Sequence, residues 1–67
     1  MIQVKLSTRQ EQVISLVAQG RTDKEIAGLL EISEGTVSFH VGLVLERLQA
    51  KSRSHAVFIR FGQSAKK

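Results

Sequence analysis

Helix-start signals recur so closely along this chain that a bundle of short helices is the fold they permit. A serine or threonine just before a helical pattern of apolar residues is typical of an N-cap, where its oxygen accepts a hydrogen bond from a free backbone N–H. Two of the four signals also have a glutamine or glutamate three residues later, which is the spacing of a capping box. The sequence therefore predicts helices over about residues 8–19, 23–30, 34–49 and 53–61. The N-caps are Ser7, Thr22, Ser33 and Ser52.

Size and composition limit the chain to one small domain held together by apolar packing. Its 67 residues contain no cysteine, which excludes disulfides and cysteine-based metal sites and is typical of a cytoplasmic protein. The apolar runs are too short for a membrane span or a signal peptide. A net charge of +4 favours a polyanionic partner, nucleic acid before an anionic membrane. We expect a single all-α domain over residues 1–67, with no membrane partner.

The second and third helices are joined so tightly, by Glu31 to Ser33, that they predict a helix-turn-helix unit. The second helix of such a unit can enter the major groove of DNA. At about 100° per residue, the apolar stripe of the third helix turns inward and the opposite arc faces outward. The inward stripe is Val37, Val41, Val44 and Leu48, and the outward arc is Gly35, Ser38, Phe39, Gly42 and Glu46. The flank between them holds Thr36, His40, Leu43 and Arg47.

The order and spacing of several segments resemble the LuxR/GerE family of bacterial regulators over about residues 6–60. The resemblance implies a four-helix bundle in which the third helix reads DNA and the fourth mediates dimerisation. It also implies phosphate contacts by two residues and base contacts by three, with a valine near a thymine methyl group. The segments are Leu6–Arg9, Val13–Ile14, Ala18–Ala27, Leu30–Val41, Arg47–Leu48, Ser52–Arg53 and Ala56–Val57. The residues are Lys24 and Thr36 for phosphate, Ser38, Phe39 and Gly42 for bases, and Val37 for the methyl group.

Helix geometry adds His40 and Arg47 as possible phosphate contacts, because both lie on the same flank as Thr36. Many members of the family carry lysine, arginine or asparagine at the positions of Ser38 and Gly42. Direct base readout is therefore expected to be thin, with Phe39 and DNA shape taking a larger share. The residues expected at a dimer seam are Leu43, Val57, Phe58, Arg60 and Phe61.

These observations favour a sequence-specific transcription regulator that binds double-stranded DNA as a homodimer. Two alternatives stay open: a module like region four of a sigma factor, working within RNA polymerase, and a small protein that pairs with a larger LuxR-type regulator. No spacing of serine, histidine and acidic residues marks a catalytic site, so we expect no enzyme activity, cofactor or metal. The sequence does not distinguish a whole protein from the C-terminal domain of a sensor regulator, and the target sequence and regulatory polarity stay open.

Overall fold

Four helices pack into one bundle in the computed structural model, which describes residues 5–62. They are α1 (Thr8–Ala18), α2 (Asp23–Leu30), α3 (Glu34–Leu48) and α4 (Arg53–Phe61), and the described residues include no strand. The predicted all-α fold class is confirmed. Helices α1 and α3 end one residue earlier than the sequence analysis placed them. The rest of the expected 1–67 domain, residues 1–4 and 63–67, lies outside the described part.

Each helix starts at the N-cap that the sequence indicates. The Ser7 hydroxyl oxygen accepts from the Gln10 N–H at 3.1 Å, and the Gln10 side chain accepts from the Ser7 N–H at 2.9 Å. Thr22 and Glu25 form the same reciprocal pair at the start of α2. Ser33 and Ser52 each accept one backbone N–H in the first turn of α3 and α4. Local sequence therefore sets where the chain enters each helix.

The chain leaves its first three helices through left-handed residues. Gly20, with φ of 87°, follows α1, while Glu31 and Gln49 adopt φ of 59° and 54° after α2 and α3. A left-handed residue with a Cβ costs about 1–2 kcal/mol. Because the chain turns at Glu31, α3 begins at Glu34, only three residues after the C-cap of α2.

Two clusters of buried side chains hold α3 from behind. Val37 and Val41, in its first half, pack with Val13 of α1 and Ile26 of α2. In its second half, Val44 joins a cluster that is filled mainly from the lead-in, α1 and α4, namely Leu6, Ile14 and Ala56. Because α3 contacts each of the other helices, its position depends on the whole bundle and its opposite face is left outside.

Candidate nucleic-acid interface

The face of α3 opposite the core is open to solvent. Ser38, Phe39 and Gly42 are all exposed, and Phe39 keeps 62% of its surface accessible. The Phe39 ring, on a helix that packs against the core through its opposite side, offers apolar surface to a partner. The three residues to which the resemblance assigns base contact are therefore accessible to a partner.

Val37 does not share that face. It is 0% exposed and belongs to the first core cluster with Val13 and Ile26. No part of its side chain is available to a thymine methyl group, so the expected contact of Val37 with DNA is corrected here. Its role in this structure is to hold the first half of α3 against α1 and α2.

Two flank residues, Thr36 and His40, are half-buried beside the exposed arc. The Thr36 hydroxyl lies 2.9 Å from the Ser33 hydroxyl, so the start of α3 presents a pair of linked hydroxyl groups. The His40 ring meets Phe39 edge-on, with centroids 5.8 Å apart and planes at 62°, while its Nδ1 atom is buried. His40 thus supports the Phe39 ring from the side, which is a favourable arrangement for aromatic pairs.

The two basic residues that the sequence assigned to phosphate lie in different surroundings. Lys24 is exposed in the first turn of α2. Arg47 is exposed near the far end of α3, about 13 Å along the helix axis from Ser38, and its Nη2 donates to the Lys5 carbonyl at 2.6 Å. Arg47 is therefore joined to the segment before α1 and does not lie beside Ser38 on the exposed arc of α3.

An ionic contact that the sequence analysis did not anticipate lies beside Ser38. Both oxygens of Asp23, at the start of α2, accept from the Arg53 guanidinium, at 2.6 and 2.9 Å. The Ser38 hydroxyl donates to Asp23 Oδ2 at 3.0 Å. The hydrogen bonds from Arg53 lower the pKa of Asp23 below its ordinary value, with a smaller contribution from Ser38, against the opposing effect of burial. Asp23 therefore links the exposed arc of α3 to the start of α4.

The residues expected at a dimer seam differ in their exposure and in their contacts. Val57 and Phe61 are half-buried and pack on the second core cluster, so much of their apolar surface serves this chain's own interior. Arg60 is exposed, pairs with Glu11 at 3.0 Å and lies over the Phe61 ring. Phe58 is different, since 62% of its surface is accessible. Leu43, on α3, is half-buried.

The described residues show neither a metal-binding cluster nor a helix suited to a membrane. No group of three or more histidine, cysteine, aspartate or glutamate side chains within residues 5–62 is arranged to hold a metal ion. None of the helices there is long and apolar enough to cross a membrane. The exposed arc of α3 and the ionic contact beside it are the features that the function must explain.

Comparison with known proteins gives one consistent family. Residues 4–59 match the model of "Bacterial regulatory proteins, luxR family". The chain is 42% identical over 60 residues to the spore germination protein GerE of Bacillus subtilis (strain 168), covering 87% of this chain and 81% of GerE. It is 42% identical over 52 residues to the transcriptional regulatory protein DesR of the same organism, covering 78% of this chain and 26% of DesR.

A third relative is the nitrate/nitrite response regulator protein NarL of Escherichia coli (strain K12), which is 40% identical over 52 residues. That match covers 78% of this chain and 24% of NarL. The chain thus spans about a quarter of the length of DesR and NarL but most of the length of GerE.

Proposed function

This chain belongs to the luxR family of bacterial regulatory proteins, and on that premise we propose that it binds double-stranded DNA sequence-specifically and regulates transcription. The observation that carries the proposal is the division of α3 into a buried stripe and an open arc. A helix held from behind, with its free face exposed, fits the major groove, which is about 12 Å wide. On this proposal the protein acts in the bacterial cytoplasm and has no catalytic role.

Phosphate contacts set the register of the proposed complex. Lys24 projects from the first turn of α2, and the linked hydroxyl groups of Ser33 and Thr36 stand at the start of α3. Both helix starts carry partial positive charge from their backbone dipoles, which favours a nearby anion. The net charge of +4 adds long-range attraction to the duplex. These contacts position α3 without reading sequence.

Base contacts come from Ser38, Phe39 and Gly42 in this proposal. Phe39 offers an apolar surface for a thymine methyl group, and Ser38 offers a hydroxyl. A Cβ added at Gly42 would meet no atom within 4 Å, so packing within the chain does not require glycine there. We infer that the bare backbone at Gly42 lets α3 sit close to the base edges, where DNA shape also contributes to recognition.

Pairing of two copies through α4 would place two α3 helices in successive major grooves, about 34 Å apart. The exposed Phe58 ring supports this proposal, because Val57 and Phe61 are partly used by the chain's own core. Light scattering tests it: the native chain is expected to dimerise and Phe58→Glu to stay monomeric. A native chain that stays monomeric even on a two-half-site duplex would refute the homodimer.

Gel shifts over a salt series test the DNA-binding proposal. Each phosphate contact releases a counterion, so log K should fall linearly with log salt, with a slope near −0.9 for each contact. Lys24→Ala should reduce that slope by about 1 and weaken all duplexes similarly. Gln12→Ala, an exposed change on α1, is the control and should leave the slope unchanged. Absence of any shift at low salt would refute the proposal.

A further inference from the structure

We propose that Ser38 acts in DNA recognition as a hydrogen-bond acceptor only, and that it therefore reads a base that presents an amino group in the major groove. This inference rests on the proposed function, because it assigns a chemical preference to one residue of the same surface. It predicts that the base facing Ser38 is adenine or cytosine. It also gives Asp23 a part in specificity that its position at a helix start would not suggest.

The proton of the Ser38 hydroxyl is already committed. Serine has one O–H donor and two acceptor lone pairs, and this hydroxyl donates to Asp23 Oδ2 at 3.0 Å. A carboxylate can only accept, so the direction of the bond does not depend on how the hydroxyl rotor is placed. The lone pairs of Ser38 remain, on an exposed side chain of the recognition face.

Arg53 keeps Asp23 in the ionised, accepting state. Its Nη1 and Nη2 atoms donate to the two carboxylate oxygens at 2.6 and 2.9 Å, which is a bidentate, charge-assisted arrangement. The same contact lowers the pKa of Asp23, so the carboxyl group is charged throughout the neutral range. Arg53 also offsets a negative charge that would otherwise repel phosphate. The Ser38 proton is thus held by a charged acceptor, and turning it toward a base would break a strong hydrogen bond.

The chemistry of the major groove then selects the base. Adenine presents its N6 amino group and cytosine its N4 amino group, whereas guanine and thymine present acceptors there. A hydroxyl that can only accept makes a hydrogen bond with the first pair of bases and faces acceptor against acceptor with the second pair. When an acceptor is buried at the interface without a donor, the affinity of the protein for the duplex falls about tenfold, which is equivalent to about 1.4 kcal/mol.

A cycle between protein variants and base analogues tests this inference. Selection from random duplex DNA with the native chain and with Ser38→Ala identifies the base pair whose preference depends on Ser38. At that pair, 2-aminopurine replaces adenine, or 2-pyrimidinone replaces cytosine, so that the major-groove amino group is removed. The native chain should lose about tenfold in affinity, and Ser38→Ala should lose less than twofold. Ser15→Ala, a serine on α1 away from this face, should behave as the native chain.

Asp23→Asn provides a second, independent variant. Asparagine has one oxygen, which Arg53 would take, so the amide nitrogen would face Ser38 and donate to it. The Ser38 proton would then be free to face the DNA. Removal of the base amino group should therefore lower the affinity of this variant for the duplex less than twofold. The comparison uses two duplexes with the same protein, so the general gain in affinity from losing a negative charge cancels.

The outcomes separate this inference from the proposed function. If the native chain binds duplexes but removal of the base amino group lowers the affinity of Ser38→Ala as much as that of the native chain, the inference is wrong and the proposed function stands. The inference is also wrong if the Ser38-dependent coupling appears with 7-deazaguanine, which removes an acceptor, instead of with an amino deletion. If the native chain binds no duplex, the proposed function itself fails.

Discussion

Replacing Phe39 by alanine should weaken DNA binding much more than it weakens the fold. The ring is 62% exposed, so of the roughly 200 Å² that an aromatic side chain can bury, about 120 Å² is still open to a partner. A groove contact that covers about half of this area is worth about 1.5 kcal/mol at about 25 cal/mol per Å². Phe39→Ala should therefore lose about tenfold in affinity for a selected site.

The cost in stability is smaller, because Phe39 lies outside both core clusters and its main aromatic contact is the edge of His40. We expect a loss of about 1 kcal/mol in the free energy of unfolding. Thermal melts followed by circular dichroism measure this loss, and fluorescence anisotropy with a labelled duplex measures affinity well below the melting temperature. The two readouts separate a lost contact from a lost fold.

Leu29→Ala is the matched control, since Leu29 is a large apolar residue that is 55% exposed on α2 and lines the groove between α1 and α2. The Leu29 variant should have an affinity for DNA within about twofold of that of the native chain, and it should lose about as much stability as Phe39→Ala. Equal affinity of Phe39→Ala and the native chain for the selected site would refute the reasoning. So would an equal loss in the Leu29 variant, because the effect would then follow from general destabilisation.

Three further perturbations have definite expected results. Gly42→Ala should raise the free energy of unfolding by about 0.5–1 kcal/mol, measured by chemical denaturation. The reason is that alanine favours a helix interior over glycine and that its Cβ would meet no neighbour at this position. A loss of stability would show that glycine is needed there. At a concentration too low for dimerisation, Phe58→Glu should leave the melting curve nearly unchanged, because most of the Phe58 surface is exposed. It should reduce affinity for a two-half-site duplex to that for a single half-site, as titrations of both duplexes would show. The folded-state pKa of Asp23 is lowered, chiefly by Arg53. At pH values above the ordinary aspartate pKa, the pair therefore stabilises the fold by about 1 kcal/mol. This contribution is lost as the pH falls through the lowered pKa. Unfolding of Asp23→Asn and the native chain, compared between about pH 7 and pH 2, should show a gap that closes only at the acid end; a gap that closes between about pH 7 and pH 5 would contradict this.

Much of the fold was predictable because its signals are local. The capping residues Ser7 and Thr22 bond to groups three residues away, within a single turn of helix. The positive φ at Gly20 is likewise a property of one residue type. The buried stripe of α3 follows from helical spacing, since residues three and four apart share a face. Such features do not depend on how the helices pack together.

The ionic contact at Asp23 was not predictable for the opposite reason. Its partners, Ser38 and Arg53, lie 15 and 30 residues away along the chain. Their meeting depends on the angle at which α2, α3 and α4 cross, which the helical pattern does not specify. In the sequence, Asp23 shows only an aspartate in the first turn of α2, where its charge suits the helix dipole.

Two other outcomes show what the resemblance and the helical pattern left open. Helical spacing placed Val37 on the inward stripe and the resemblance placed it near a thymine methyl group, and the structure places it fully in the core. The sequence analysis expected Val57, Phe58 and Phe61 of α4 together at a dimer seam, because helical spacing does not show which of them the chain's own core uses. The structure assigns Val57 and Phe61 mainly to the interior and leaves Phe58 outside.

Amide chemical-shift mapping on titration with a selected duplex tests most directly whether the open face of α3 enters the groove. We expect the largest shifts at Ser38, Phe39 and Gly42, with smaller shifts at the starts of α2 and α3, where phosphate contacts are proposed. The groove between α1 and α2, around Leu16 and Leu29, should stay unperturbed. Largest shifts in that groove, with the exposed arc of α3 unchanged, would contradict the account.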